Sequence, residues 1–335
     1  MSVFISATAT WTPQTVSLAD AIADGLVPPT HQGLGFDSIA VADALTGPQM
    51  AITAARQAIA RAGADPAGIG LVLHASHWFQ GLDLWPAAAY VANNAVGAHP
   101  SSYDIQQQSI GGLGSLRLAT AWLTAGFAET ALLTTGDNYA APAIDRWGSL
   151  QDLIFGDGGT AMVLSANGGF AEVLATAAGA DNGLEIATRG TTPFGFAPGQ
   201  HAPVPMAQRF MQFAGLPEAP AAWGRYEAAL TAVHDQALRA ANLDIKDVTR
   251  AVLPFLHRGG DQRENYDVLG YRAEQTVWDY GRGVGHLGAG DHCAGLNHLV
   301  ETGSLVAGDI VVLVGAGLGF NFHAAVLQIV GEPPA

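Results

Sequence analysis

The chain runs to 335 residues, 49% of them hydrophobic and only 13% charged, which suits a globular protein with a large core in one large domain or two fused ones. Fourteen basic residues against 29 acidic ones give a net charge of −15, and no basic run exists, which excludes a nucleic-acid or anionic-membrane binder working by charge. Cys293 is the only cysteine, so no intrachain disulfide can form; the N-terminus does not read as a signal peptide, no run reaches about 18 apolar residues, and a reducing cytoplasm is the expected address.

"SVFISATATWTP" reads as a first strand and a loop. "GPQMAITAARQAIARAGADP" has helical spacing and stops at a Gly and a Pro. Gly68–Ser76 is a short run of Ile, Leu and Val, a buried strand, and "PAAAYVANNAVGA" is the next helix. A strand leads into "YDIQQQ", the helix Ile110–Gly126 follows, and "ETALLTTGD" is a strand. "LIFGDGGTAMVLSANGG" reads as a strand pair broken by a glycine turn. Residues 187–220, rich in Pro, Gly and Phe, read as an irregular lid or substrate-site insertion.

The second half repeats this order. "YEAALTAVHDQALRAANLDIKDVTRAVLPFLH" matches the helix, turn and buried strand of "MAITAARQAIARAGADPAGIGLVLHAS". "HLVETGSLVAGDIVVLVGAG" matches "WLTAGFAETALLTTGD". Both offsets are roughly 180 residues, which points to an internal duplication of α/β halves. In such folds the functional groups gather at strand ends and helix starts.

Ser109 stands at such a junction, followed by Ile110, Gly111 and Gly112. Free N–H groups and the helix dipole stabilise negative charge there, and the glycines let a ligand approach the backbone. A plain N-cap is the commoner use of a serine at this position. A catalytic serine needs a base and an orienter. Of eleven histidines, His257 ends the buried strand "AVLPFLH". The glycine-rich Gly281–Leu296 stretch adds His286, Asp291 and His292. Val314–Phe322 is a further Gly-rich turn, whose backbone N–H groups could join that of Ser109 around an oxyanion. It is no dinucleotide fingerprint, because a strand and not a helix follows.

Together these stretches resemble the thiolase superfamily, in particular its ketoacyl-ACP synthase III branch. "YDIQQQSIGG" is similar to the nucleophile segment, "FGDGGTAMVL" to the Phe-Gly-Asp-Gly turn, "PFLHRGG" to the histidine motif and "GSLVAGDIVVLVGAGLGFNF" to the C-terminal strand and loop. The resemblance implies a duplicated five-layer αβαβα fold with halves 1–170 and 171–335. It implies a homodimer, no metal or bound cofactor, and acyl chemistry on CoA or acyl-carrier-protein (phosphopantetheine) thioesters. Two departures stand out. Ser109 occupies the place of the family's cysteine, and "GHLGAGD" lacks the family's asparagine.

The pattern resembles the divergent natural-product branch, in which a nucleophile, a His and an Asp move an acyl group from a thioester to a hydroxyl. On that reading Ser109 is the nucleophile, His257 the base and Asp291 its orienter, with His286 the rival of Asp291. The backbone of Ser109, Gly317 and Gly319 holds the oxyanion. Arg146 and Trp147 are expected at the donor, and Phe194, Phe196, Met206 and Phe210 at the acyl or acceptor pocket. The alternatives are a starter-unit ketosynthase of polyketide secondary metabolism, using His257 and His286, and a non-catalytic subunit in which Ser109 only caps a helix.

Overall fold

The computed structural model describes residues 2–28, 31, 33–150, 152–197, 202–256 and 264–334. Its nine-stranded sheet starts from β1 (Phe4–Trp11), which pairs antiparallel with β7 (Gly158–Ser165). Outward from β7 lie β6 (Thr130–Asp137), β4 (Ile69–Ala75) and the edge strand β5 (Ser101–Ile105). On the other side of β1 come β8 (Ala171–Ala180), β11 (Asn321–Ile329), β10 (Ile310–Gly317) and β9 (Arg250–Val252). β2 (Thr15–Ser17) and β3 (Ser38–Ala40) form a separate two-stranded ribbon.

The pairing repeats between the two groups of strands. β1–β7 and β7–β6 are antiparallel and β6–β4 is parallel. Likewise β8–β11 and β11–β10 are antiparallel and β10–β9 is parallel. The groups meet through a brief contact of β1 with β8, in which Phe4 and Ile5 face Glu172 and Ala171.

Helices enclose both groups. The first helices are α1 (Leu18–Ala23) and α2 (Gly47–Arg61), and α2 packs on β1, β6 and β7. The Gln49 side chain accepts the Thr46 N–H at 2.9 Å at its start, and Ala54, Ala55 and Ala58 face the sheet. A Cβ on Gly136 would lie 2.1 Å from the Gly47 carbonyl oxygen, so helix and strand touch backbone to backbone. α3 (Ala87–Ala95) lies beside α2. α4 (Gly111–Thr124) and α10 (Asp291–Glu301) fill the middle layer, with Leu113, Leu116, Leu296 and Leu299 in one core with strands of both groups. α7 (Ala219–Ala240) covers β8 and β11 through Tyr226, Leu230 and Val233. The outcome is the helix–sheet–helix–sheet–helix layering expected of the duplicated fold.

Two local readings change. "LIFGDGG" is not a strand of a pair: only β7 forms, and Phe155 makes a single bridge to His286. The 187–220 stretch overlaps α5 (Ile186–Arg189) and holds the amphipathic α6 (Met206–Ala214) and the first two residues of α7. Among the described residues, 190–197 and 202–205 form no helix or strand. The short helices α8 (Asn265–Leu269) and α9 (Trp278–Val284) complete the set, and among the described residues no helix is long and apolar enough to cross a membrane.

Candidate active site

β5 ends at Ile105, and the chain turns through Gln106 and Gln107 into a single 3-10 turn, Gln108–Ile110, before α4. Gln108 holds a left-handed φ of +53°, which swings Ser109 out at the helix start. Ile110, not Ser109, occupies the N-cap position of α4, and no side chain caps the helix. The Ser109 hydroxyl instead lies 2.8 Å from Nε2 of His286. Gly111 and Gly112 serve packing rather than ligand approach. A Cβ on Gly112 would stand 2.5 Å from the Ala289 carbonyl oxygen, and one on Gly111 would meet Ala75 and Ala289. The start of α4 is thereby seated against the loop that carries His286.

That loop is held at several points. The His286 N–H donates to Ile154 O, and the His286 carbonyl accepts from Gly156 N, both at 2.9 Å. The 3-10 turn Gly288–Gly290 folds the chain back so that Asp291, first in α10, returns beneath the imidazole. Nδ1 of His286 lies 2.5 Å from Oδ2 of Asp291. The same oxygen accepts Phe255 N–H at 2.7 Å, and Oδ1 accepts Leu287 N–H at 2.8 Å. Asp291 is fully buried at the N-terminus of α10.

Burial opposes charge on His286, but the adjacent Asp291 carboxylate, with Asp137 and Asp152, outweighs it and raises the imidazole pKa above 6.5. Ser109, His286 and Asp291 thus form one hydrogen-bonded chain of hydroxyl, imidazole and carboxylate. Such a chain can take a proton from the hydroxyl and stabilise the resulting imidazolium.

His257 lies outside the described residues. Among the described residues, the histidine that meets both Ser109 and Asp291 is His286, which partners Asp291 instead of replacing it. Cys293, one turn into α10, is buried with its thiol donating to Ala161 O at 3.3 Å, away from the serine.

Ser109 and His286 line a partly open cavity with about 650 Å³ of empty space, the solvent at its mouth included. Leu153, Phe155, Phe210, Trp223, Tyr226 and Phe320 give it apolar walls. Gly317 ends β10 against the nucleophile turn, where a Cβ would lie 2.3 Å from Gln107 O. Gly319, at φ +123°, lies in the turn to β11, and its neighbours Leu318 and Phe320 line the cavity.

The other expected contacts divide. Phe210 lines the cavity, and Met206 packs beside it against the Tyr139, Ile144 and Phe155 cluster. Phe194 and Phe196 are 88% and 105% exposed and do not line this cavity. Arg146 is spent on a buried ion pair, Nη1 to Asp157 Oδ1 at 2.9 Å, and Trp147 packs among Leu18, Val27 and Phe36. Neither lines the cavity.

Sequence reasoning missed His77, which lines the cavity with Ser109 and His286. It also missed Asp137, whose carboxylate accepts N–H bonds from His77, Trp78 and Ala289. Burial outweighs those bonds and pushes the Asp137 carboxyl up to about 7. A signal for His77 existed: it stands just past a buried strand, in the place that the duplication gives to the neighbourhood of His257.

The 3-oxoacyl-[acyl-carrier-protein] synthase III domain matches residues 103–182, and the C-terminal domain of the same synthase matches residues 238–329. The β-ketoacyl-[acyl-carrier-protein] synthase III of Sulfurovum sp. is 26% identical over 322 residues, 90% of this chain and 86% of that protein. The structure of ChlB3, an acyltransferase, superposes with a TM-score of 0.94 at 32% identity, over 100% of this chain and 99% of that one. The priming β-ketosynthase of the R1128 polyketide pathway shares the fold, with a TM-score of 0.77 at 18% identity over 99% and 97% of the two chains. Two synthase III domains in order, and a relative similar along the entire chain, place this protein: it belongs to the 3-oxoacyl-[acyl-carrier-protein] synthase III family of the thiolase superfamily and is a transferase-type enzyme.

Proposed function

We propose that this enzyme moves an acyl group from a CoA or acyl-carrier-protein thioester, through an ester on Ser109, to a hydroxyl acceptor in secondary metabolism. The observation that carries the reading is the Ser109–His286–Asp291 hydrogen-bond chain at the wall of a partly open, mostly apolar cavity. Ser109 Oγ attacks the thioester carbon and its proton passes to His286 Nε2. The C–S bond breaks, and the leaving thiolate takes that proton as free thiol. An acceptor hydroxyl then loses its proton to His286 and attacks the ester. The ester C–O bond breaks and the proton returns to Ser109. Asp291 orients the imidazole and balances its charge. The N–H of Ser109 and the 317–319 backbone are assigned to the oxyanion. Phe210 and its aromatic neighbours are assigned to the acyl or acceptor group.

ChlB3, similar over its whole length, is named an acyltransferase, which supports transfer. A starter-unit ketosynthase would work with His257 and His286. The bonds of His286 to Ser109 and Asp291 are those of a triad base, which supports the transfer reading. The proposal includes two duplicated halves, 1–170 and 171–335, a cytoplasmic address, and a second copy of the chain as partner. β5 is an edge strand, and Tyr103 on it is half exposed next to Trp122 and Phe127, a surface suited to that copy.

The deciding experiment is intact mass after incubation with acyl-CoAs and acyl carrier proteins. An acyl adduct that is lost in Ser109→Ala and discharged by a hydroxyl acceptor is expected. Release of carbon dioxide from a malonyl thioester, with a C–C product, would replace the reading by the ketosynthase one.

A further inference from the structure

A second imidazole faces the same cavity. His77 is two residues beyond β4, and its backbone is clamped: its N–H lies 2.8 and 3.0 Å from the two Asp137 oxygens, and Trp78 N–H lies 2.8 Å from one of them. Its ring stands 5.5 Å from Phe155 and 6.0 Å from the His286 ring, centroid to centroid. Nδ1 is 2.7 Å from the Tyr139 hydroxyl. Tyr139 is fully buried and stacked on Phe155 at 4.2 Å, and burial pushes its phenol well above the usual range, so it keeps its proton.

A phenol carries one hydrogen, and among the described residues His77 Nδ1 is its hydrogen-bond partner. Tyr139 therefore donates to Nδ1, which leaves the hydrogen of the neutral ring on Nε2. Nε2 lies across the ring from Nδ1 and has no protein partner among the described residues. It is a fixed N–H at the wall that Ser109 and His286 share. Burial first, and the neighbouring His286 second, hold the His77 pKa down to about 3, so the ring stays neutral while it donates.

We propose that His77 is a further catalytic residue, a neutral Nε2–H donor to the negative oxygen of the tetrahedral adduct on Ser109. No proton leaves His77; it supplies a hydrogen bond that strengthens as charge moves onto that oxygen. His286 does the proton transfer. The inference rests on the acyl-Ser109 reading and adds a side-chain arm to the backbone donors of the 317–319 turn.

The test is the rate of acyl-enzyme formation, by quenched-flow intact mass, with acetyl-CoA and p-nitrophenyl acetate as probes. His77→Ala should slow acylation by about 10²–10³-fold at saturating donor, with KM little changed and the pH midpoint where the parent enzyme has it. His77→Gln, whose amide N–H can replace Nε2–H, should recover most of the rate, and it guards against a folding artefact. ¹⁵N NMR of the parent protein should show His77 neutral and Nε2-protonated from about pH 5 to 9, a tautomer that Tyr139→Phe releases. An unchanged rate in His77→Ala, a pH midpoint that moves with the rate, or an Nδ1-protonated ring would overturn the proposal while leaving acyl-Ser109 in place. Absence of any acyl adduct on the parent enzyme would overturn both.

Discussion

Two histidines share one cavity, both are buried, and they are driven in opposite directions. His286 is raised above 6.5 and His77 is lowered to about 3. Desolvation acts on both, so it cannot separate them. What differs is the group behind Nδ1: the Asp291 carboxylate for His286 and the Tyr139 phenol for His77. A carboxylate accepts the ring N–H and favours a second proton on the far nitrogen. A phenol donates and leaves a neutral ring with its N–H toward the cavity. Under the proposed roles, one residue type serves for proton transfer and for hydrogen-bond donation with ring centroids 6.0 Å apart.

The heaviest blow to that contrast is removal of His286. His286→Ala should lower the acylation rate by about 10²–10⁴-fold, measured by intact mass, with the fold intact by circular dichroism. Asp291→Asn attacks its cause. The acylation rate should fall by about 10³–10⁴-fold, because the amide favours the wrong tautomer. Acylation needs His286 neutral, so in the parent enzyme the rate rises with pH through a midpoint above 6.5. In Asp291→Asn the residual rate should have a lower midpoint. A midpoint left in place would mean that Asp291 does not set the imidazole pKa.

Asp137 ties the two arms together, holding the His77 backbone on one side and Ala289 of the His286 loop on the other. Its carboxyl is raised from 3.8 to about 7 in the fold, so the folded protein holds that proton more tightly than the unfolded chain does. The stability this contributes is complete below 3.8 and lost as pH rises through about 7. Asp137→Asn removes the titration, and the decline of thermal stability over that window should be shallower than in the parent. Equal slopes would break the link. The smallest effect is expected at Phe194 and Phe196. Replacing either with Ser should change stability by no more than about 0.5 kcal/mol and leave acylation unaltered. A large loss of acylation would restore them to the pocket.

Much of this architecture is legible in the residues. Ser109 at a strand-to-helix junction, Asp291 in a glycine-rich loop and the repeated helix–strand order all point to the fold that is found. The histidine partner is not legible, because the spacing from His286 to Asp291 does not show that the turn Gly288–Gly290 folds the chain back on itself. His77 is hidden for a related reason: its role depends on Tyr139, 62 positions later. α6 is masked by the Pro, Gly and Phe composition around it, although Met206, Phe210 and Phe213 follow helical spacing. Arg146 misleads in the other direction. The resemblance places Arg146 at the donor, whereas its guanidinium is paired with Asp157.

The seat of Gly112 against the Ala289 carbonyl has a consequence for how the protein could be taken apart. Ser109 and His77 belong to the strands before residue 170, and His286 and Asp291 to those after it. Neither fragment of a chain cut there holds a working set. Acyl-enzyme chemistry would thus report reassembly of the two fragments, and its recovery would measure how tightly they recognise each other.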